Sequence, residues 1–270
     1  MRLIFLKLGG SLITDKRTPM TPRLAVIERL AQECATALAQ APDLALLLGH
    51  GSGSFGHIPA QRFQTRAGVT TAAAWRGFAE VSRVAAQLNR LVADAFGAAG
   101  VPVWSLAPSA SALCRDGELM TLADRPITTA LAHGLAPLIY GDVALDEARG
   151  GTIVSTEEVF AWLARRLRPS FILLAGMVNG VYERDPLADP AARPLPLITA
   201  AGLTRLAGGL TGSHATDVTG GMASKVRAMS ALVQELPGLQ VRFFSGEQAG
   251  ALQALLLQPQ SAIGTLLRDR

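Results

Sequence analysis

Two short apolar runs, each followed at once by a glycine-rich turn, most constrain how this chain can fold. Residues 3–8 lead into a Gly-Gly-Ser turn, and residues 44–48 lead into a loop of glycines and serines that ends at His57. Between them, residues 21–42 carry apolar side chains at helical spacing. Strand, helix, strand and glycine turn in this order predict a parallel sheet covered by helices on both faces.

The rest of the chain continues this alternation. Strands are predicted at residues 101–106, 135–140, 171–175, 241–244 and 262–266, and helical spacing dominates residues 58–100, 155–167 and 223–236. Ser155, followed three residues later by Glu158, is typical of a helix N-terminus. Weaker strand signals at residues 113–121 and 141–152 indicate two hairpins, and we expect the second hairpin to extend over a functional site.

Composition excludes several classes of protein. A chain of 270 residues that is 49% hydrophobic and has no long linker predicts one domain over residues 1–270. Its net charge of +4 is scattered and only 5% of residues are aromatic, which does not favour nucleic-acid binding. No run reaches the roughly 20 apolar residues of a membrane span, and no leader is expected before the first strand. Cys34 and Cys114 lack metal-ligand spacing, so we expect reduced core cysteines in a cytoplasmic protein.

The use of lysine is the strongest clue to chemistry. The chain has 25 Lys and Arg residues, of which only Lys7, Lys16 and Lys225 are lysines, and all three lie beside glycine-rich turns. Lysine is a compact point charge, whereas arginine is a planar fork, and phosphoryl transfer uses compact charge. Glycines let backbone N–H groups approach an anion. The pattern predicts a phosphate-handling site, although chance placement near the 27 glycines is the alternative.

One glycine pattern gives a misleading signal. Gly51, Gly53 and Gly56 formally match the dinucleotide fingerprint, but the match follows the second strand rather than the first. The nearest candidate acid, Glu80, lies in a helical stretch. A nicotinamide-dependent oxidoreductase is therefore a disfavoured alternative. The chain contains no G-x-x-x-x-G-K-[ST] motif, so it is not a P-loop enzyme.

Two histidines and a later glycine pair are candidates for ligand contacts. Either His50 or His57 can be merely a hydrogen-bonding group, but an imidazole at the loop's exit suits an acceptor phosphate, which favours His57. Gly221 and its preceding glycine lie at a predicted helix start with Lys225 one turn in, where nucleotide phosphates would bind. The alternative is a glycine pair that only interrupts a helix. The aromatic residues of segment 58–100 are mainly expected in the core, and some could wall an apolar acceptor pocket: Phe63, Trp75 and Phe78.

Four ordered motifs together resemble isopentenyl phosphate kinases of the amino acid kinase superfamily. They are Lys7-Leu-Gly9-Gly10-Ser11-x-x-Thr14-x-Lys16, Gly53-Ser54-Phe55-Gly56-His57, Gly180-Val181-Tyr182-x-x-Asp185-Pro186 and Asp217-Val-Thr-Gly220-Gly221-Met222-x-x-Lys225. In that superfamily, the histidine after Ser-Phe-Gly separates phosphate-accepting members, and the related fosfomycin kinases, from members that phosphorylate carboxylates.

The resemblance implies a three-layer αβα sandwich with a mainly parallel central sheet. The N-terminal half, about 1–168, would bind the acceptor, and the C-terminal half, about 169–270, would bind ATP with Mg²⁺, usually in a homodimer. No residue of this chain is assigned as a metal ligand. The implied reaction is ATP-dependent phosphorylation of isopentenyl phosphate, or a similar small alkyl monophosphate, by direct in-line transfer in isoprenoid biosynthesis.

The resemblance also implies roles for individual residues. The catalytic residues would be Lys7, Lys16, His57, Lys225 and Glu157. The acceptor would contact Ser52, Gly53, His57 and Thr156. The nucleotide would contact Lys7, Gly9, Gly10, Ser11, Gly53, Met177, Gly180, Gly221 and Lys225, with backbone donors at residues 9–11.

This chain departs from the family pattern in three places. Ser52 replaces a glycine, Ser155-Thr156-Glu157-Glu158 replaces Ser-Gly-Asp-Asp, and Met177 and Asn179 replace aspartates. Two alternatives remain open. One is a kinase of another phosphate or phosphonate acceptor such as fosfomycin. The other is a non-catalytic metabolite-sensing module, against which the intact lysines and His57 argue.

Overall fold

The computed structural model describes residues 1–186, 189, 191–199 and 221–270. Its strands are β1 (Arg2–Leu8), β2 (Leu44–His50), β3 (Val103–Ser105), β4 (Leu113–Arg115), β5 (Glu118–Thr121), β6 (Ala136–Tyr140), β7 (Asp142–Asp146), β8 (Gly150–Val154), β9 (Phe171–Gly176), β10 (Val181–Tyr182), β11 (Pro194–Leu195), β12 (Leu197–Thr199), β13 (Gln240–Ser245) and β14 (Thr265–Arg268). Its helices are α1 (Gly10–Ile13), α2 (Leu24–Gln40), α3 (Gly53–Phe63), α4 (Ala72–Ala98), α5 (Arg125–Ala132), α6 (Thr156–Leu167), α7 (Gly221–Glu235) and α8 (Ala251–Leu257), with a 3₁₀ turn at Pro108–Ala110.

The central sheet has eight strands in the order β12-β14-β13-β9-β1-β2-β6-β3. Neighbouring strands run parallel except β13 and β14, which are antiparallel. Helices α2, α4 and α8 pack on one face, and α5, α6 and α7 pack on the other. The three-layer αβα sandwich is thus confirmed.

Alternation along β1 decides which layer each side chain enters. Ile4, Leu6 and Leu8 pack in the layer of α2, α4 and α8, whereas Leu3 and Phe5 pack in the layer of α5, α6 and α7. Successive side chains of a strand point to opposite faces. The next residue of the second set is Lys7, so β1 directs this lysine toward the helices α6 and α7.

The functional edge of the sheet follows from its strand order. β1 lies between β2 and β9, and Leu8 is opposite His50 on one side and Ala175 on the other. The carboxyl ends of these parallel strands therefore meet at one edge. In open α/β sheets, ligands bind in the crevice outside the carboxyl ends of the strands, at the point where the strand order reverses direction.

Several boundaries differ from the expected ones. α3 begins inside the glycine loop, so His57 lies on a helix. β14 begins at residue 265 rather than 262, because Gly264 turns the chain with φ of 69° and a Cβ there would lie 2.1 Å from the Phe243 carbonyl oxygen. α8 and the short strands β10, β11 and β12 were not expected. The Asp217–Gly220 part of the fourth motif lies outside the described residues.

Smaller expectations are confirmed. β4 pairs with β5 and β7 pairs with β8 as antiparallel hairpins, and Ser155 with Glu158 forms a reciprocal capping box at α6. Cys34 and Cys114 are free, buried and in opposite core layers. Across the described ranges, no helix combines the length and apolarity that crossing a membrane requires.

Candidate active site

A cavity of about 210 Å³ opens at the carboxyl ends of β1, β2 and β9. Lys7, Lys16 and Lys225 all line it, together with Glu157 and His57. Every lysine of the chain therefore faces one space, although the first and last are separated by more than two hundred residues. The other predicted site residues that line the cavity are Gly9, Gly10, Ser11, Ser52, Gly53, Thr156, Met177 and Gly221.

Gly180 does not line this cavity, in contrast to its predicted nucleotide contact. Its φ is 106°, and a Cβ there would lie 2.4 Å from the Thr265 hydroxyl oxygen. That hydroxyl accepts a hydrogen bond from the Val181 N–H at 2.7 Å. The glycine is thus required by a tight turn packed against β14.

Lys7 and Glu157 form a buried ion pair in the cavity wall. The Lys7 ammonium donates to the Glu157 carboxylate at 2.5 Å, and the two side chains are 8% and 11% exposed. Burial opposes ionisation of the carboxyl, but the nearby charges of Lys7 and Lys225 outweigh it and hold the pKa of Glu157 below its usual value. Glu157 is therefore a carboxylate at neutral pH, and its hydrogen bond holds the Lys7 ammonium in the cavity wall.

The two glycine loops touch through their backbones. A Cβ on Gly10 would lie 2.5 Å from the Gly53 nitrogen, and a Cβ on Gly53 would lie 2.7 Å from the Gly10 carbonyl oxygen. Gly53 also has φ of 49°, which side chains disfavour. These glycines let the loop after β1 and the loop after β2 form one continuous floor.

Thr14 joins the same two loops through its side chain, a role that the sequence reasoning missed. Its hydroxyl donates to the Gly10 carbonyl oxygen at 2.7 Å and accepts the Ser54 N–H at 2.9 Å. Thr14 is 1% exposed. It ties the segment that carries Lys16 to the helix that carries His57.

Gly9 does not act as the backbone donor that the sequence predicts. Its N–H donates to the Ala175 carbonyl oxygen at 2.8 Å, and a Cβ there would lie 2.8 Å from the same oxygen. Its amide thus joins β1 to β9. Gly10 and Ser11 form the first turn of α1, where helix geometry leaves N–H groups without intrahelical partners.

The Thr156 hydroxyl likewise makes a hydrogen bond within the fold. Its hydroxyl donates to the His50 carbonyl oxygen at 2.6 Å, and the residue is 1% exposed. The predicted acceptor contact cannot use this hydroxyl without breaking that bond. Thr156 lines the cavity while it holds the N-terminus of α6, and hence Glu157, against β2.

The structure separates the two histidines. His50 is fully buried, with Nδ1 3.0 Å from the Gly51 carbonyl oxygen and Nε2 3.2 Å from the Asn89 side-chain oxygen. Burial lowers its pKa from 6.5 to about 4. His50 is therefore a neutral structural group, and it is His57 that lines the cavity.

A second, smaller pocket of about 30 Å³ continues from Ser52 and His57. Its lining combines four apolar residues, Ala60, Val81, Ala85 and Ile153, with two charged ones, Arg66 and Asp142. We call it the inner pocket. Alanines give little sequence signal, but Val81 and Ala85 are four residues apart on α4 and thus share a face.

The aromatic residues proposed for such a wall pack elsewhere. The side chain of Phe63 occupies the space beside Gly77, where a Cβ would meet its ring at 2.2 Å. Trp75 packs edge-on against Phe78, with ring centroids 5.2 Å apart. Phe63, Trp75 and Phe78 line neither the cavity nor the inner pocket.

Comparison with known proteins gives concordant matches. The model of the amino acid kinase family matches residues 2–245. The chain is 33% identical over 263 residues to the isopentenyl phosphate kinase of Methanothermobacter thermautotrophicus, covering 94% of this chain and 95% of that protein. It is 37% identical to the isopentenyl phosphate kinase of Haloferax volcanii, over 86% of this chain and 89% of that protein.

Solved structures show the same likeness. An X-ray structure of isopentenyl phosphate kinase superposes with a TM-score of 0.82 at 28% sequence identity, over 98% of this chain and 100% of that one. The likeness spans the sheet, both helical layers and the cavity edge.

Proposed function

The chain belongs to the amino acid kinase family, and we propose that this kinase transfers the γ-phosphoryl group of ATP to isopentenyl phosphate, forming the diphosphate. One observation carries the proposal. All three lysines line one cavity, and His57 lines both that cavity and the inner pocket, whose walls are partly apolar. Such an arrangement suits an acceptor with a phosphate at one end and a short hydrocarbon tail at the other.

On the donor side, we assign the lysines to the phosphoryl group in transfer. The transition state spreads negative charge over three oxygens, and positioned cations stabilise it without a covalent intermediate. Lys7 is already desolvated and oriented by Glu157. Lys225 lies on the first turns of α7, where the positive end of the helix adds to its charge.

On the acceptor side, we assign His57 to the phosphate and the inner pocket to the tail. An imidazole N–H can donate to a phosphate oxygen as that oxygen attacks the γ-phosphorus in line. The apolar side chains of the inner pocket, those of Ala60, Val81, Ala85 and Ile153, support an alkyl tail on that phosphate.

We also propose that Mg²⁺ accompanies ATP and that the kinase is a cytoplasmic homodimer. Phosphate oxygens and water supply most Mg²⁺ ligands in such sites. Glu157, the one carboxylate among the described cavity residues, is already paired with Lys7. Free buried cysteines fit a reducing compartment. Activity lost to a chelator and restored by Mg²⁺ tests the metal, and light scattering tests the dimer.

The experiment that tests the function measures ADP release with a panel of acceptors. We expect rapid turnover with isopentenyl phosphate, slower turnover with dimethylallyl phosphate and fosfomycin, and none with glutamate. Faster turnover with fosfomycin would favour the phosphonate alternative. No acceptor-dependent ADP from folded protein would favour the sensing module.

A further inference from the structure

We propose that an ion pair between Arg23 and Glu247 positions Lys16 for phosphoryl transfer, an inference that rests on the proposed function. Arg23 follows residues 14–22, which we call the Lys16 loop, and it stands at the N-terminus of α2. Glu247 follows β13 in the C-terminal half of the chain. Lys16 lines the cavity, whereas neither member of the pair does. The pair therefore acts on the reaction through the lysine.

The Lys16 loop is closed at its base and exposed at its tip. Residues 16–20 are exposed. At the base, Thr14 and Pro22 form an isolated antiparallel bridge, and the Asp15 N–H donates to the Thr21 carbonyl oxygen at 2.9 Å. A functional loop takes its position from the scaffold that holds its ends. The contacts at the base of this loop therefore decide where Lys16 can reach.

Arg23 fastens that base to elements from both halves of the chain. Its N–H donates to the Ile13 carbonyl oxygen at 2.8 Å, and its guanidinium donates to the Leu12 carbonyl oxygen at 3.0 Å. The two terminal nitrogens of the same guanidinium donate to the two carboxylate oxygens of Glu247, one of them at 3.1 Å. A two-bonded pair of this kind fixes direction as well as distance. The bond to Arg23 also holds the pKa of Glu247 below its usual value, so the carboxyl is ionised at neutral pH.

Glu247 is in turn connected to the nucleotide side of the cavity. Its N–H donates to the Ser245 hydroxyl at 3.2 Å, and that hydroxyl donates to the Met177 carbonyl oxygen at 3.2 Å. Met177 lines the cavity, and its sulfur lies 3.4 Å from a guanidinium nitrogen of Arg23. A continuous series of hydrogen bonds therefore runs from the Lys16 loop through the ion pair to the proposed nucleotide wall.

The loop is thus held from two sides. On the acceptor side, the Thr14 hydroxyl accepts the Ser54 N–H, and the Met20 N–H donates to the Ser54 carbonyl oxygen at 3.3 Å. On the nucleotide side, it is held by the Arg23–Glu247 pair. A misplacement of about 1 Å is enough to slow a reaction that depends on positioned charge. Without the pair, we expect the loop to keep its contacts with α3 while Lys16 shifts relative to ATP.

The test is a double-mutant cycle between Glu247→Gln and Lys16→Ala, measured as kcat with isopentenyl phosphate and ATP. In the wild-type background we expect Glu247→Gln to lower kcat about tenfold, while both KM values stay within about twofold, because Lys16 acts in the transition state. In the Lys16→Ala background the same substitution should change kcat little, because the group that it positions is already absent.

A matched control separates this role from the general effect of losing an ion pair. Arg165 and Glu235 form an equally two-bonded pair, at 2.7 and 2.8 Å, near the ends of α6 and α7 that are remote from the cavity. Glu235→Gln should leave kcat unchanged. The Arg23 and Glu247 side chains are 30% and 34% exposed, so water can solvate the partner that remains in either single variant. If Glu247→Gln does not fold, Arg23→Met carries the same expectations.

Two results would overturn the positioning role and leave the proposed function standing. One is an unchanged kcat in folded Glu247→Gln, whether or not its Tm falls. The other is an equal fall in kcat with and without Lys16, because the pair would then not act through that lysine. Wild-type protein that does not phosphorylate isopentenyl phosphate would instead overturn the function, and the same cycle with an acceptor that yields ADP would then test the pair.

Discussion

At the scale of single residues, the Glu157 carboxylate balances the buried positive charge of Lys7 in the cavity wall. We expect Glu157→Gln to lower kcat on the order of 10²-fold, because lysines shifted by about 1 Å no longer match the transition state. Leaving Lys7 buried without its partner should also lower the free energy of unfolding by about 3 kcal/mol. Steady-state kinetics and urea unfolding measure the two effects, and unchanged values of both would contradict the role given to the ion pair.

The same variant has a defined pH signature. The folded pKa of Glu157 lies below its unfolded value of 4.5, so the pair contributes fully above pH 4.5 and is lost as pH falls through the folded pKa. The stability difference between wild type and Glu157→Gln should therefore shrink below pH 4.5.

His50 makes a separate prediction at a higher pH. Its ring stays neutral in the folded protein to about pH 4, whereas the unfolded chain takes up the proton near pH 6.5. Acidification across this interval should therefore cost wild type about 3 kcal/mol of unfolding free energy that His50→Gln does not lose. Chemical unfolding at pH 7 and pH 4.5 checks this, and parallel losses in both proteins would contradict it.

Lysine scarcity was enough to find three site residues from sequence, but it could not separate the histidines. Both flank the same glycine loop. The position of His57 at the loop's exit already favours it, and strand alternation adds the reason why His50 is buried. His50 continues the set of Leu46 and Leu48, which pack in the layer of α2 and α4. His57 belongs instead to α3, whose start could not be predicted because glycine and serine are poor helix formers.

At the scale of elements, Thr14 couples the loop before α2 to the start of α3. We expect Thr14→Val to lower kcat about tenfold or more, because the Lys16 segment and the His57 helix lose their shared hydroxyl. It also leaves the Gly10 carbonyl and the Ser54 N–H without this partner, at about 1–3 kcal/mol. Thr14→Ser keeps the hydroxyl and should stay near wild type in both kcat and Tm.

The contrast between kcat and Tm decides what Thr14 does. A residue that only stabilises the fold would lower Tm in Thr14→Val while kcat per folded molecule stayed unchanged. If Thr14 positions the two loops, Thr14→Val lowers kcat even at temperatures well below its Tm, where the protein is folded.

Elements were predictable where one interaction dominated. β1, β2 and β9 are mainly apolar because central parallel strands are buried on both faces. α8 was missed because a seven-residue Ala-Leu-Gln segment shows too little periodicity. Its N–H groups at Leu252 and Gln253 bond the distant Glu33 carboxylate, a contact that local sequence cannot reveal.

At the scale of the whole molecule, one sheet unites the two halves named in the sequence. β9, from the C-terminal half, pairs with β1, from the N-terminal half, and β1 pairs in turn with β2. The cavity lies where these three strands end. Side chains from both halves therefore line one cavity, which is why Lys7, Lys16, His57 and Lys225 meet although they are distant in sequence.

The central claim is that His57 faces the acceptor while the lysines face ATP across one cavity. The most direct measurement is the steady-state kinetics of His57→Ala, with isopentenyl phosphate and ATP varied separately. We predict that kcat/KM for isopentenyl phosphate falls by about 10² to 10³, the usual cost of losing a transition-state donor, while KM for ATP changes little. An equal rise in KM for ATP, or an unchanged kcat/KM for isopentenyl phosphate, would contradict the account.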